Sequence, residues 1–154
     1  MTWEELENKC RGCTACPLSA TRTKVVFGCG DRRAELMFIG EAPGESEDLS
    51  GTPFVGRAGK LFDKYLEAVG IPRDSVYIAN MLKCRPPKNR DPLETEQMAC
   101  AEWLRRQIDL LQPKLIVCLG RISAMKFIKP DFRITKEHGQ WFNVDGRRVM
   151  ALYH

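Results

Sequence analysis

Five of the seven cysteines in this chain are spaced in a way that suits metal ligation. Cys10, Cys13 and Cys16 form two overlapping Cys-x-x-Cys pairs, and Cys84 and Cys100 form a second group. Four thiolates that converge from these two segments could hold a zinc ion tetrahedrally or an iron–sulfur cube, and the spacing alone does not distinguish the two. A third interpretation, a set of unrelated buried cysteines, is disfavoured by the close Cys-x-x-Cys spacing.

The remaining cysteines and the composition do not point to a disulfide framework. The first residues lack the basic-then-apolar order of a signal peptide, and no run of about 18 apolar residues is present to cross a membrane. We therefore expect a cytoplasmic protein with reduced thiols and no membrane partner. In this interpretation Cys118 is a buried apolar residue and Cys29 is a free or packing thiol.

A second candidate site is the segment 40–59, which follows a short apolar run. Loops at the carboxyl ends of strands form ligand sites in open α/β sheets. The segment contains five glycines, two prolines, four acidic residues and Phe54, which is an unusual composition for a simple connector. The alternative interpretation is a solvated surface loop.

The stretches around these residues alternate between strand-like and helical patterns. Short apolar runs predict strands at 36–39, 76–81, 115–119 and 149–153. Apolar residues at helical spacing predict helices at 60–69, 92–111 and 122–128. This βαβαβαβ order predicts an α/β fold of three layers, with helices on both faces of a four-stranded, mainly parallel sheet. With 154 residues, the chain fits one domain covering 1–154.

Local patterns add three finer predictions. The cysteine-rich segment before Ala34 is expected to be irregular. Asp91 is expected to cap the second helix, with Pro92 in its first position. The pair Asp145-Gly146 predicts the turn of a small hairpin just before the last strand.

Several motifs taken together resemble the family 4 uracil-DNA glycosylases, the iron–sulfur type found mainly in bacteria and archaea. The motifs occur in the family's order at 13–18, 40–44, 51–59, 76–80 and 83–90, with Cys100 following. The resemblance covers nearly the whole chain. It implies a monomeric enzyme that excises uracil from single- or double-stranded DNA by hydrolysing the N-glycosidic bond, leaving an abasic site.

The resemblance also implies a ligand set for the cysteines. Cys13, Cys16, Cys84 and Cys100 would hold a [4Fe-4S] cluster, and Cys10 would be a spare thiol beside it. Zinc remains the alternative occupant.

Excision requires the uracil nucleotide to be flipped out of the duplex into a pocket. Phe54 is predicted to stack on the base, and Asn80 is predicted to accept from uracil N3–H and to donate to O4. Cytosine presents the reverse pattern and would leave two polar groups unpaired. The turn containing Gly40 and Ala42 is expected to approach the base closely, and Glu47 is a second candidate near C5, where it would disfavour the methyl group of thymine.

Catalysis is assigned to Glu41 and His154 by the same resemblance. Glu41 is expected to orient the attacking water or to stabilise the cationic sugar. His154 is expected to donate to uracil O2 as negative charge develops on the departing base. Other members of the superfamily carry an aspartate where this chain has Ala42, so Glu41 must act from a neighbouring position.

Lys83, Arg85 and Arg90 flank Pro86-Pro87 and are candidates for contacts with DNA phosphates. The net charge of +4 is too small to establish a nucleic-acid partner by itself. A solvated basic loop is the alternative interpretation.

The family pattern continues beyond His154, where this sequence ends, with a His-Pro-Ser motif and a final helix. The resemblance therefore implies a domain without that loop and helix, and it predicts weakened or absent activity for this form. Two other functions explain fewer of these residues. An iron–sulfur electron carrier or redox sensor would leave Phe54 and Asn80 without a task, and a nucleotide-binding module would require a Gly-x-Gly-x-x-Gly pattern that residues 40–44 do not fit.

Overall fold

The computed structural model describes residues 1–153, and it contains a six-stranded mixed sheet. The strands are β1 (Cys29–Gly30), β2 (Leu36–Gly40), β3 (Tyr77–Asn80), β4 (Leu115–Leu119), β5 (Phe142–Val144) and β6 (Arg147–Leu152). The helices are α1 (Trp3–Arg11), α2 (Glu45–Ser50), α3 (Arg57–Ala68), α4 (Glu94–Leu111), α5 (Arg121–Phe127) and α6 (Ile134–Glu137). Short 3₁₀ turns occupy Pro17–Ala20, Arg73–Ser75 and Pro87–Asn89.

The strand order is β1-β3-β2-β4-β6-β5, and the four inner strands are parallel. The predicted parallel sheet is thus confirmed, but the predicted number of four strands is wrong. The two additional strands are antiparallel edges. β1 contains only two residues, so it shows no apolar run. β5 is the first arm of the hairpin that Asp145-Gly146 predicts, and it joins the sheet beside β6.

Alternate side chains of the inner strands pack on opposite faces of the sheet, as the pleat of a strand requires. On one face, Met37 and Ile39 pack with Leu104 and Ile108 of α4. On the other face, Phe38 packs in the same cluster as residues of α3. The sheet therefore lies between two helical layers, which confirms the three-layer α/β/α fold.

The helices differ from the predictions at several places. α2 lies within the segment 40–59, which the sequence predicts to be a loop, and α6 was not predicted. The segment before Ala34 begins with α1, where Thr2 accepts from the backbone N–H of Glu5 at 3.2 Å in a capping box. α4 begins at Glu94, so Asp91 does not cap it; the carboxylate of Glu96 instead accepts from the backbone N–H of Leu93 at 2.9 Å.

Within residues 1–153, no helix combines the length and the apolar character needed to cross a bilayer.

Candidate active site and cysteine cavity

A pocket of about 280 Å³ opens at the carboxyl ends of β2 and β3. This volume is at the lower end of the range for small-molecule sites and suits a single small ring. Five of the residues singled out from the sequence line it: Glu41, Ala42, Glu47, Phe54 and Asn80. Four other lining residues, from the segment between β3 and α4, carry no sequence signal that assigns them to this pocket: Pro86, Asn89, Asp91 and Pro92.

The pairing of the two strands places these residues together. Gly40 lies directly opposite Asn80 in the parallel ladder. The ladder continues past the strand ends, because Met81 N–H donates to the Gly40 carbonyl at 3.0 Å and Leu82 N–H donates to the Glu41 carbonyl at 3.0 Å. Glu41 and Asn80 therefore leave the sheet side by side.

Gly40 is required by the close approach of two pocket side chains. A Cβ atom at this position would lie 2.4 Å from Asn80 Oδ1 and 2.7 Å from Phe54 Cζ. Both distances are far below van der Waals contact, so any larger residue would displace the amide or the ring.

Phe54 has a left-handed backbone with φ of 55°, which is unusual for a bulky residue. The guanidinium of Arg73 holds this conformation by donating to the Phe54 carbonyl at 2.8 Å and to the Pro53 carbonyl at 2.6 Å. Gly59 allows the backbone to come this close, since a Cβ there would lie 2.1 Å from the Phe54 carbonyl carbon. The half-buried ring also packs on Phe62, with 5.3 Å between ring centroids. The ring is thereby fixed at the pocket wall.

Glu47 ties the two ends of the loop together. One carboxylate oxygen accepts from Gly44 N–H at 2.9 Å, and the other accepts from Val55 N–H at 3.0 Å and Gly56 N–H at 2.7 Å. Asp48 acts in a similar way on another segment, accepting from Thr23 N–H at 2.8 Å. Two of the four acidic residues of the loop thus bind backbone N–H groups and maintain its shape.

Glu41 is half-buried at the end of β2 and lines the pocket next to Ala42. This position places the carboxyl group on the same edge of the sheet as Asn80. The other predicted catalytic residue, His154, lies outside the described residues.

Cys13, Cys16, Cys84 and Cys100 line one small cavity. Cys10 does not line this cavity; it is fully buried in the adjacent apolar cluster. Within residues 1–153, no group of three or more His, Cys, Asp or Glu side chains is arranged to hold a metal ion.

Two interactions influence the sulfur atoms of the cavity. Burial raises the pKa of the Cys84 thiol, while a hydrogen bond from Arg22 Nη1 to Cys84 Sγ at 3.1 Å opposes the increase. Burial raises the pKa of the Cys100 thiol to about 11, and the backbone N–H of Lys83 opposes it by donating to the sulfur. Cys118 is fully buried in the sheet, which confirms its interpretation as an apolar core residue.

The three basic candidates for DNA contact have different environments. Lys83 is only 1% exposed, so the prediction that it contacts phosphates is wrong. Arg85 is partly exposed, and its Nε donates to Asn89 Oδ1 at 2.7 Å. Arg90 lies at the rim of the base pocket and forms a bidentate pair with Glu96, at 2.8 and 2.7 Å.

The Arg90–Glu96 pair gives a prediction for stability. The hydrogen bonds from Arg90 lower the pKa of Glu96 below its usual value of 4.5. The stabilisation is therefore fully present above pH 4.5, and it disappears as the pH falls through the lower pKa of the folded state. Because the Arg90 side chain is 38% exposed and that of Glu96 is 4% exposed, we expect Glu96→Gln to cost about 1 kcal/mol near pH 7, less than a fully buried pair.

Urea unfolding between pH 7 and pH 3 measures this effect. The parent and Glu96→Gln curves should converge at the acidic end. Glu94→Gln, which removes an exposed carboxylate from the same first turn of α4, is the matched control. If the stability difference between the parent and Glu96→Gln does not change with pH, the stabilisation does not come from the ionised Glu96 paired with Arg90.

An aromatic wall, a strand-end amide and a carboxyl group around a one-ring pocket define a nucleobase-binding enzyme of the α/β class. Residues 27–154 match the profile of the family described as the uracil DNA glycosylase superfamily. The type-4 uracil-DNA glycosylases of Archaeoglobus fulgidus and Thermotoga maritima are each 43% identical to this chain, and each match covers 98% of the chain and 80% of the relative. The type-4 enzyme of Sulfurisphaera tokodaii is 52% identical over 79% of the chain and 56% of its own length.

The chain therefore belongs to the type-4 uracil-DNA glycosylases of the uracil DNA glycosylase superfamily. This confirms the family that the sequence motifs indicate.

Proposed function

We propose that this protein excises uracil from DNA by hydrolysing the bond between the base and the deoxyribose, as a monofunctional enzyme of base excision repair. The observation that carries the proposal is the convergence of Glu41, Phe54 and Asn80 in one pocket of a chain that belongs to the type-4 family. Water adds to the sugar carbon, and uracil departs with the electron pair of the broken bond and takes up a proton. An abasic site remains in the DNA.

Asn80 is the residue that selects the base. Its amide lines the pocket from the end of β3, and the residue is 3% exposed. The amide oxygen accepts from uracil N3–H, and the amide nitrogen donates to O4. In a site with so little access to water, cytosine leaves two polar groups unpaired, and each unpaired group costs about 1 to 3 kcal/mol.

Phe54 provides the stacking surface for the flipped base. A base stacked on an aromatic ring gains about 1 to 3 kcal/mol. The contacts with Arg73 and Gly59 fix the ring before DNA binds, so little conformational entropy is lost on binding.

Glu41 assists cleavage on the sugar side of the pocket. The sugar becomes cationic as the bond breaks, and a carboxylate beside it either stabilises that charge or orients the attacking water. We also propose that His154 donates to uracil O2 and stabilises the departing anion. We further propose that Gly40 and Ala42 leave room for the base and that Glu47 disfavours a methyl group at C5.

Single-turnover excision from a uracil-containing oligonucleotide, with protein in excess, tests the function directly. We expect an abasic product from the parent protein and no product from a matched oligonucleotide containing thymine. An iron–sulfur electron carrier or a nucleotide-binding module would give no abasic product from either oligonucleotide.

Glu41→Gln is expected to lower the single-turnover rate about 100-fold, because general acid–base groups contribute roughly 10²- to 10⁴-fold. The protein concentration that gives half-maximal rate should change little, since the carboxylate acts mainly in the transition state. Glu45→Gln, an exposed position in the first turn of α2, is the control and should retain the parent rate. Equal rates for Glu41→Gln and the parent would remove Glu41 from the mechanism.

We propose that Cys13, Cys16, Cys84 and Cys100 hold a [4Fe-4S] cluster. A common cavity lined by the four cysteines supports this ligand set, and Arg22, which lines the same cavity and donates to Cys84 Sγ, would help to balance the negative charge of thiolate ligands. When bound, such a cluster would cross-link the amino-terminal segment to the strand and helix that carry Cys84 and Cys100.

We propose that DNA contacts the loop at the mouth of the pocket through Arg85 and Arg90. Both are on the segment between β3 and α4, next to lining residues Pro86 and Asn89. Lys88 and Asn89 have left-handed backbones with φ of 55° and 56°, a strained conformation that occurs often at functional sites.

A further inference from the structure

Lys83 lies between the base pocket and the cysteine cavity, and its ammonium group is held in one place. Nζ donates to the Phe27 carbonyl at 2.9 Å, the Asn80 carbonyl at 3.0 Å and Gln107 Oε1 at 2.6 Å. These three acceptors use all three N–H bonds of the ammonium group. Gln107 is fixed in turn, because its Nε2 donates to the Phe27 carbonyl at 2.9 Å and to the Tyr77 hydroxyl at 3.0 Å.

The same residue also belongs to the wall of the cysteine cavity. Lys83 lines this cavity together with Cys84 and Cys100. Its carbonyl accepts from Val26 N–H at 2.7 Å, and Cys84 is the next residue in the chain. Lys83 is thus part of the wall of the cysteine cavity, and its side chain is bonded to the base-reading residue.

The Asn80 carbonyl sets the orientation of the strand end. The next two backbone N–H groups, of Met81 and Leu82, donate to the carbonyl of Gly40 at the end of β2 and to that of Glu41 just after it. The ammonium group of Lys83 binds the Asn80 carbonyl itself. Without this bond a buried carbonyl would lose its charged donor, and rotation of that peptide would move the amide that reads uracil.

A buried ammonium group also needs compensating negative charge. Within residues 1–153 it forms no ion pair with a carboxylate, and its three oxygen partners are neutral groups. Lys83 does, however, line the cavity that contains Cys13, Cys16, Cys84 and Cys100. Thiolate ligands in the cavity would therefore stabilise the cation, and the cation would stabilise them.

We infer that Lys83 is a positioning residue that couples the occupied cysteine cavity to uracil recognition by Asn80. The inference rests on the proposed function and on the proposed ligand set. Lys83 contacts neither the base nor the DNA; it acts through the carbonyl of Asn80 and through its charge beside the cavity.

Lys83→Met tests this coupling, because methionine has a similar length and no N–H donor. Two quantities are measured: inhibition of excision by free uracil, and the rate at which a chelator removes iron from the purified protein. We expect uracil to inhibit about tenfold more weakly, since one charge-assisted bond is worth roughly 1.4 kcal/mol or more. We also expect iron to be removed several times faster.

Tyr77→Phe is the matched control for a purely structural role. It removes a hydroxyl from the same buried network but no bond to Asn80 or to the cavity. Uracil inhibition and the rate of iron removal should equal those of the parent, even if the melting temperature falls. Gln107→Glu keeps an acceptor for the ammonium group and should retain uracil affinity.

Two outcomes would overturn the inference: parent values for Lys83→Met in both measurements, or equal changes in Lys83→Met and Tyr77→Phe. If Lys83→Met does not fold, Gln107→Leu is measured instead, because it removes one of the three acceptors of the ammonium group. Gln107→Leu must then show weaker inhibition by uracil and faster removal of iron, with both effects smaller than those expected for Lys83→Met. A failure of the proposed function is seen separately, as a parent protein that neither excises uracil nor is inhibited by it. In that case the rate of iron removal still tests whether Lys83 stabilises the occupied cysteine cavity.

Discussion

Replacing Asn80 with aspartate is expected to lower kcat/KM for uracil excision by about 100-fold or more. The carboxylate has no donor for uracil O4, and a negatively charged oxygen would face the lone pairs of that atom. Loss of a buried hydrogen bond and the repulsion that replaces it cost roughly 1 to 3 kcal/mol each, and about 1.4 kcal/mol corresponds to a factor of ten.

The same substitution is expected to redirect base choice. Burial raises the pKa of a carboxyl group, and position 80 is almost fully buried. A protonated Asp at this position donates to cytosine N3 and accepts from cytosine N4, which is the complement of the cytosine edge. We therefore expect cytosine excision to appear and to increase as the pH falls from 7 to 5.

Single-turnover assays on matched uracil and cytosine oligonucleotides measure both effects. Asn143→Asp is the control, because it makes the same chemical change at an exposed position on β5. Four strand spacings, about 19 Å, separate β5 from β3 in the sheet order. An Asn80→Asp protein with the parent rate on uracil and no activity on cytosine would remove Asn80 from base recognition.

The parallel core and the pocket could be predicted because they depend on local patterns. Apolar runs mark the four inner strands, and the carboxyl ends of parallel strands meet at one edge of a sheet. This rule alone places the loop after β2 beside Asn80. The edge strand β1 has only two residues, which is too short for an apolar run. The capping box of α1 lies within a cysteine-rich segment, and that composition indicates irregular structure rather than a helix.

The roles of Lys83 and Arg73 could not be predicted, because their partners are distant in the sequence. Lys83 occurs in a basic, proline-containing stretch, where lysine is normally solvated. It is buried because acceptors at 27, 80 and 107 converge in the folded state. Arg73 is 19 residues from Phe54, and only the fold shows that its guanidinium binds the Phe54 carbonyl. A long-range hydrogen bond leaves no periodicity in a single sequence.

Cys100→Ala is expected to abolish iron binding and to lower the free energy of unfolding by about 4 kcal/mol or more, since loss of a structural metal is among the largest effects of a single substitution. The cavity joins the amino-terminal segment, through Cys13 and Cys16, to β3 and α4, through Cys84 and Cys100. Removing one ligand releases that cross-link.

Two other cysteines in the chain provide matched controls for this prediction. Cys118→Ala removes the same atoms from an equally buried site in the sheet, so it measures the cost of a cavity without a cluster. Cys10→Ala alters a buried thiol in the cysteine-rich segment that does not line the cavity. Both variants should retain the iron content and the visible absorption of the parent.

Iron analysis, visible absorption and urea unfolding of the three variants therefore separate ligation from packing. If the cavity binds a cluster, Cys100→Ala loses iron while Cys118→Ala and Cys10→Ala lose only stability. A colourless parent protein that contains zinc would contradict the assignment of a [4Fe-4S] cluster, but it would agree with the four cysteines as the ligands. Retention of iron by Cys100→Ala together with its loss from Cys10→Ala would instead assign the fourth ligand to Cys10, because that thiol is buried beside Cys84 and Cys100 in the same cluster of residues.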